Sequence, residues 1–174
     1  MQRNIHILGV PMDLGQSRRG VDTGPSAVRY ANLKGRLEQL GHVIQDEGNV
    51  TVLNPEEHAA KGSGKRRRAI TAVCQTVYER ACPWIADGEF AIFLGGDHSI
   101  SMGSVAAAAT RGPIGVIWID AHSDFNIPET SPSGNIHGMP VAALVGEGPD
   151  ELVNIGTPGA TVMPQQVVQI GLRN

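Results

Sequence analysis

Asp120, His122 and Asp124 follow directly on the apolar run at residues 115–119. Their spacing restricts the backbone more than any other feature of the chain. A continued strand would send all three side chains to one face. It would also hold Asp120 and Asp124 about 13 Å apart, at roughly 3.3 Å per residue. Metal–ligand bonds are roughly 2.0–2.2 Å long, so no single ion can be held by both ends of a straight strand. For these residues to act together, the chain must leave the strand at Asp120 or Ala121 and curl back. A curled D-x-H-x-D can serve two ions roughly 3.5–4 Å apart, with a carboxylate between them. A second segment, Gly95-Gly96-Asp97-His98-Ser99, closes the apolar run at residues 90–94 in the same manner. His98 thereby becomes a further candidate ligand, arriving from a neighbouring strand end.

The rest of the chain reads as scaffold. Residues 4–10 (NIHILGV), 90–94 (FAIFL), 115–119 (GVIWI) and 167–170 (VVQI) are short apolar runs, with a weaker one at 42–45. Such runs without polar alternation read as strands buried on both faces. Between them, residues 25–40 show helical spacing, with Pro25 at a first helical position and Gly41 past the end. A second helix is expected from Lys65, kinked or restarted at Pro83 and ended by Gly88. Further helices are expected at 99–110 and, shorter, at 138–145; residues 49–64 and 150–164 read as loops. Strands separated by helices indicate an α/β fold with a parallel sheet covered on both faces. In such sheets, sites gather at the carboxyl ends of the strands, where His98 and Asp120 both fall.

Composition removes several classes of function. A chain of 174 residues is expected to form one domain, residues 1–174, and a net charge of −3 argues against nucleic acid or an anionic membrane as main partner. The one basic run, Lys65-Arg66-Arg67-Arg68, reads as a solvated helix start. Cys74 and Cys82 lie about 12 Å apart along a helix axis, too far to bridge, and free thiols fit a reducing, cytoplasmic compartment. No apolar stretch reaches about 18 residues, the length of a membrane-spanning helix. No G-x-G-x-x-G follows the first strand, which sets a dinucleotide-binding domain aside.

Gly95-Gly96-Asp97-His98-Ser99 and Asp120-Ala121-His122-Ser123-Asp124 resemble two metal-binding signatures of the arginase–agmatinase (ureohydrolase) family. Ser133-Gly134-Asn135-Ile136-His137-Gly138-Met139-Pro140 is similar to the arginase branch in particular. The resemblance runs from Gly9-Val10-Pro11 to Gly171-Leu172-Arg173. It implies a three-layer α/β/α sandwich with a mostly parallel sheet. It assigns His98, Asp120, His122 and Asp124 to a binuclear Mn²⁺ centre, with Asp120 between the ions. The implied reaction is hydrolysis of L-arginine to L-ornithine and urea, with His137 transferring the proton to the leaving amine. Asn126 and Ser133 match positions that recognise the α-carboxylate, a group agmatine lacks; turn stabilisation is their alternative role. Asp97 is either a support for His98 or a helix-start residue.

The resemblance also has a break. The family carries a later S-x-D-x-D-x-x-D-P segment that completes the metal pair, and a glutamate that holds the guanidinium. After Gly138 the acidic residues are Glu147, Asp150 and Glu151, and none forms a D-x-D. Two adjacent divalent ions repel unless enough carboxylate surrounds them. The expectation is therefore a C-terminally truncated arginase-like chain that binds metal weakly, with one ion favoured over two, and with activity on its own in doubt. Two alternatives stand beside it: another ureohydrolase, such as an agmatinase or guanidino-acid hydrolase, and a catalytically incomplete domain that binds metal or associates with a partner. Homo-oligomerisation is left open.

Overall fold

The computed structural model describes residues 1–52 and 63–173. Among the described residues, five strands and six α-helices follow one another as β1 (Asn4–Val10), α1 (Gly24–Tyr30), α2 (Leu33–Gln39), β2 (Val43–Asn49), α3 (Ser63–Ala86), β3 (Phe90–Gly95), α4 (Ser101–Ala109), β4 (Val116–Ile119), α5 (Pro140–Leu144), α6 (Asp150–Val153) and β5 (Val167–Ile170). All pairings are parallel. One sheet has the order β2-β1-β3, with Ile5 opposite both Ile44 and Phe90; the other pairs β4 with β5, Val116 opposite Val167.

The central strand, β1, is buried from Ile5 to Val10, which is why its sequence shows no polar alternation. Its two faces nevertheless belong to different layers. Ile5 and Ile7 pack with Ile44, Leu94 and the α2 residues Leu33 and Leu37. Leu8 and Val10 join Ile70, Val73, Cys74 and Val77 of α3 in the main core. Helices thus cover both faces of the first sheet.

The second sheet differs. Val116 and Trp118 turn inward onto Val141 and Leu144 of α5. Ile117 (69% exposed) and Ile119 (77%) point the other way, across from Val168 and Ile170, which are also exposed. Coverage of both faces, expected from the apolar runs, therefore holds for the first sheet only. Among the described residues no element packs on the outer face of β4–β5.

Three other expectations change in detail. The helix expected over residues 25–40 is two helices, because Asn32 adopts the left-handed conformation (φ 62°) between them. Asparagine tolerates that conformation better than most residues, and hydrophobic spacing cannot register it. Pro83 lies inside α3, which runs without restart to Ala86. The loop expected at 150–164 opens with α6, where Glu151 pairs with Arg67 and Leu152 and Val153 are buried. Residues 53–62, the middle of the loop expected at 49–64, lie outside the described residues. Cys74 and Cys82 are both free; burial pushes the Cys74 thiol up to about 12, and its sulfur lies 3.2 Å from the Ser99 carbonyl.

Candidate metal centre

The site is built from the carboxyl ends of β3 and β4. Past β3, Gly96 takes φ 48°, and a side-chain carbon there would lie 2.4 Å from the Met12 carbonyl oxygen. Only glycine permits so close an approach. Asp97 then fastens the turn. Its Oδ1 accepts the Ser99 backbone N–H (3.0 Å) and its Oδ2 accepts that of Gly15 (2.7 Å), while its own N–H donates to the Met12 carbonyl (2.7 Å). The helix-start role is therefore the one these bonds describe: Asp97 ties the loop after β1 to the turn that carries His98.

The His98 ring lies on the indole of Trp118, with centroids 4.2 Å apart and 20° between planes. Its Nδ1 is 2.8 Å from Asp124 Oδ2 and 3.1 Å from Asp120 Oδ2. β4 stops at Ile119, and the chain folds back over the next five residues. Asp120 accepts the His122 backbone N–H (2.8 Å), and Asp124 takes φ 46° with its carbonyl accepting from Val141 N–H (3.0 Å). His122 reaches the other oxygen of Asp120, Nδ1 to Oδ1 3.2 Å, and is largely exposed. The Asp120 carboxylate therefore stands between two imidazoles.

Potential ligand atoms of His98, Asp120 and Asp124 all lie within 4.8 Å of one another, so this trio fits a metal ion. Two carboxylates converge on one ring nitrogen, and a single N–H cannot satisfy both fully. Burial works against charge on His98, but the hydrogen bond and charge of Asp124, then of Asp120, outweigh it and raise its pKa above 6.5. Burial likewise favours the neutral form of Asp120, and is outweighed by the His122 N–H and the charge of His98, which lower its pKa below 3.8. The pocket thus favours a cation in the space the three residues share, with carboxylate and imidazole as donors suited to a borderline or hard divalent ion.

Around this trio opens a cleft of about 720 Å³, lined by His122, Ser123, Asn126, His137, Leu172 and Arg173 among others. His137 is set by a backbone bond to the Gly15 carbonyl (3.0 Å), and Asn126 by one to the Gly138 carbonyl (3.0 Å). Ser133 lies outside the lining residues; its Oγ accepts the Asn135 N–H (3.2 Å) and closes a turn. The residue types alone did not disclose Trp118 and Arg173. Trp118 looks like a core residue, yet it shares a strand face with Asp120 by the period of two. Arg173 lies three residues past the end of β5, and its backbone N–H donates to the Ala121 carbonyl (3.2 Å).

The model of the arginase family matches residues 3–174. The chain belongs to the arginase family. The arginase of Bacillus subtilis is 43% identical over 175 residues, covering 100% of this chain and 59% of that protein. The solved arginase of Bacillus caldovelox superposes with a TM-score of 0.93 at 44% identity, over 99% of this chain and 58% of that one. The arginase of Entamoeba histolytica, solved with L-ornithine, gives 0.85 at 32% identity, over 100% and 60%. The chain thus spans about three-fifths of the length of these arginases.

Proposed function

We propose that this chain carries an arginine-hydrolysing site of the arginase type, in which His98, Asp120, His122 and Asp124 hold Mn²⁺ and L-arginine yields L-ornithine and urea. The observation that carries the reading is the convergence of His98, Asp120 and Asp124 at the edge of the cleft. A relative bound to L-ornithine fits the proposed product. When bound, the metal supplies Lewis-acid activation of water for attack on the guanidinium carbon. His137, on the cleft wall, accepts a proton and returns it to the departing amine, a role suited to an imidazole near neutral pH. Asn126 offers its amide to the substrate α-carboxylate, and the Ser133 hydroxyl reaches that group through water.

Asp120 and Asp124 bring two negative charges, which balance one divalent cation. A single, weakly held ion is therefore expected, and a second ion needs further carboxylate. The open apolar face of β4–β5 favours a second reading, a metal-binding domain that associates with a partner polypeptide. One experiment separates them: manganese titration of the folded protein, with urea release from L-arginine and from agmatine assayed on the same sample. Metal binding with urea from arginine supports the first reading, and urea from agmatine alone moves the substrate to the decarboxylated amine. Metal binding without urea from either favours the association domain, and no binding refutes both.

A further inference from the structure

His6 interrupts the most buried strand of the fold. It lies in the middle of β1, is 5% exposed, and faces α3 together with Leu8 and Val10. Its Nδ1 is 2.7 Å from Glu47 Oε1 on β2, and its Nε2 is 2.5 Å from Glu89 Oε2, one residue before β3. The indole of Trp84, from α3, stacks on the ring with centroids 4.5 Å apart and planes 4° apart. The groups behind the two carboxylates also have set partners. Asn4 Nδ2 donates to Glu89 Oε1 (2.8 Å), and the Arg80 guanidinium of α3 donates to the Glu47 backbone carbonyl (2.8 Å).

This geometry restricts the proton count. A neutral imidazole has one N–H and one bare lone pair. Turned to two carboxylates on opposite sides, it would bond one and repel the other. Both contacts are attractive when both nitrogens carry protons. The other solution, a proton on a glutamate, is harder near neutral pH, because free glutamate releases its proton near about 4.3 and free histidine near about 6.5. Asn4, and then His6, draw the Glu89 pKa down further by hydrogen bonding. A flat aromatic face against the ring favours the cation as well.

We propose that His6 is a proton-operated clasp: as imidazolium it joins β2, β1, the start of β3 and α3, and as pH rises it lets them go. The cluster lies near the amino ends of the strands, since His6 pairs with Ala91 whereas His98 follows the far end of β3. It is separate from the metal centre and takes no part in the chemistry proposed there. Burial resists the charge on His6, but its hydrogen bonds to Glu47 and Glu89 and their charges prevail, so its folded pKa is raised above 6.5. A raised pKa fixes the sign. The clasp's contribution is complete below the unfolded value of about 6.5 and is lost as pH rises through the folded value. Between the two, the folding constant falls by up to about tenfold per pH unit.

The test uses ring-nitrogen NMR and urea unfolding across about pH 6 to 9, spanning the window in which an imidazole changes charge. The proteins are the whole chain, His6→Gln and Glu89→Gln, with the His6 ring assigned through its contact with Trp84. The His6 ring should keep both nitrogens protonated to a higher pH than a free imidazole, whose midpoint is about 6.5. The wild-type to His6→Gln ratio of folding constants should fall as pH rises, and Glu89→Gln should move the His6 midpoint downward. A His6 midpoint at or below about 6.5 overturns the proposal, as does a flat ratio. Should His6→Gln fail to fold, the wild-type ring spectrum and the Glu89→Gln midpoint decide the matter by themselves.

Discussion

Replacing Asp97 by alanine removes two acceptors at once, from Ser99 N–H at 3.0 Å and Gly15 N–H at 2.7 Å. Asp97 is 4% exposed, so water reaches these donors poorly. A buried donor left without a partner costs about 1–3 kcal/mol, and two give about 2–6 kcal/mol for Asp97→Ala. Asp97→Asn keeps one oxygen and turns an amide N–H₂ toward the other donor, so its cost should fall near about 1–3 kcal/mol. The assay is urea unfolding of metal-free protein, reading the midpoint at constant slope. Because the turn also carries His98, manganese affinity should weaken in the same order. A destabilisation by Asp97→Ala of less than about 0.5 kcal/mol, the usual range of surface substitutions, would refute the assignment of Asp97 as the fastening of that turn.

Gly103→Ala places a carbon 2.2 Å from the Cys74 carbonyl oxygen, where α4 crosses α3, and overpacking there should cost about 1–3 kcal/mol in thermal or chemical unfolding. Trp118→Leu removes the surface under the His98 ring and should lower manganese affinity in calorimetric titration, while Trp118→Phe should retain most of it. Chelation of the metal should lower the melting temperature, and the gain on adding it back should grow with free manganese concentration. In the metal-free protein, the contribution from His98, whose pKa is raised, is present below about 6.5 and lost as pH rises through its folded value. That of Asp120, whose pKa is lowered, is present above the unfolded value of about 3.9 and lost as pH falls through its folded value; unfolding midpoints across pH test both signs.

Strands with few polar residues were legible from residue type alone. β1, β3 and β5 begin or end within a residue of the apolar runs, because strands in a parallel sheet keep few polar positions. The weak run at 42–45 stops well short of the end of β2, which continues to Asn49. Asp46, Glu47, Gly48 and Asn49 mask it, since an edge strand can carry polar side chains outward. The break at Asn32 and the four-residue α6 were hidden for a different reason: one backbone conformation and a single helical turn leave no period to detect. At the site, the need for a curled D-x-H-x-D followed from distance alone, and strand ends are local features. The ring stack of His98 on Trp118 and the clasp at His6 required partners brought together by the fold. Glu47 and Glu89 lie 41 and 83 residues from His6 in sequence.

The two sheets share no backbone ladder among the described residues, and His98 leaves one sheet while Asp120 and Asp124 leave the other. A cation held by all three would be a rivet across a seam. Its affinity and the stiffness of that seam then become one quantity, because every opening of the joint separates the ligands. Changes that loosen the β4–β5 ribbon at a distance would register as faster metal escape with every ligand still in place. Filling the site would, in turn, quiet motion between the two halves of the molecule.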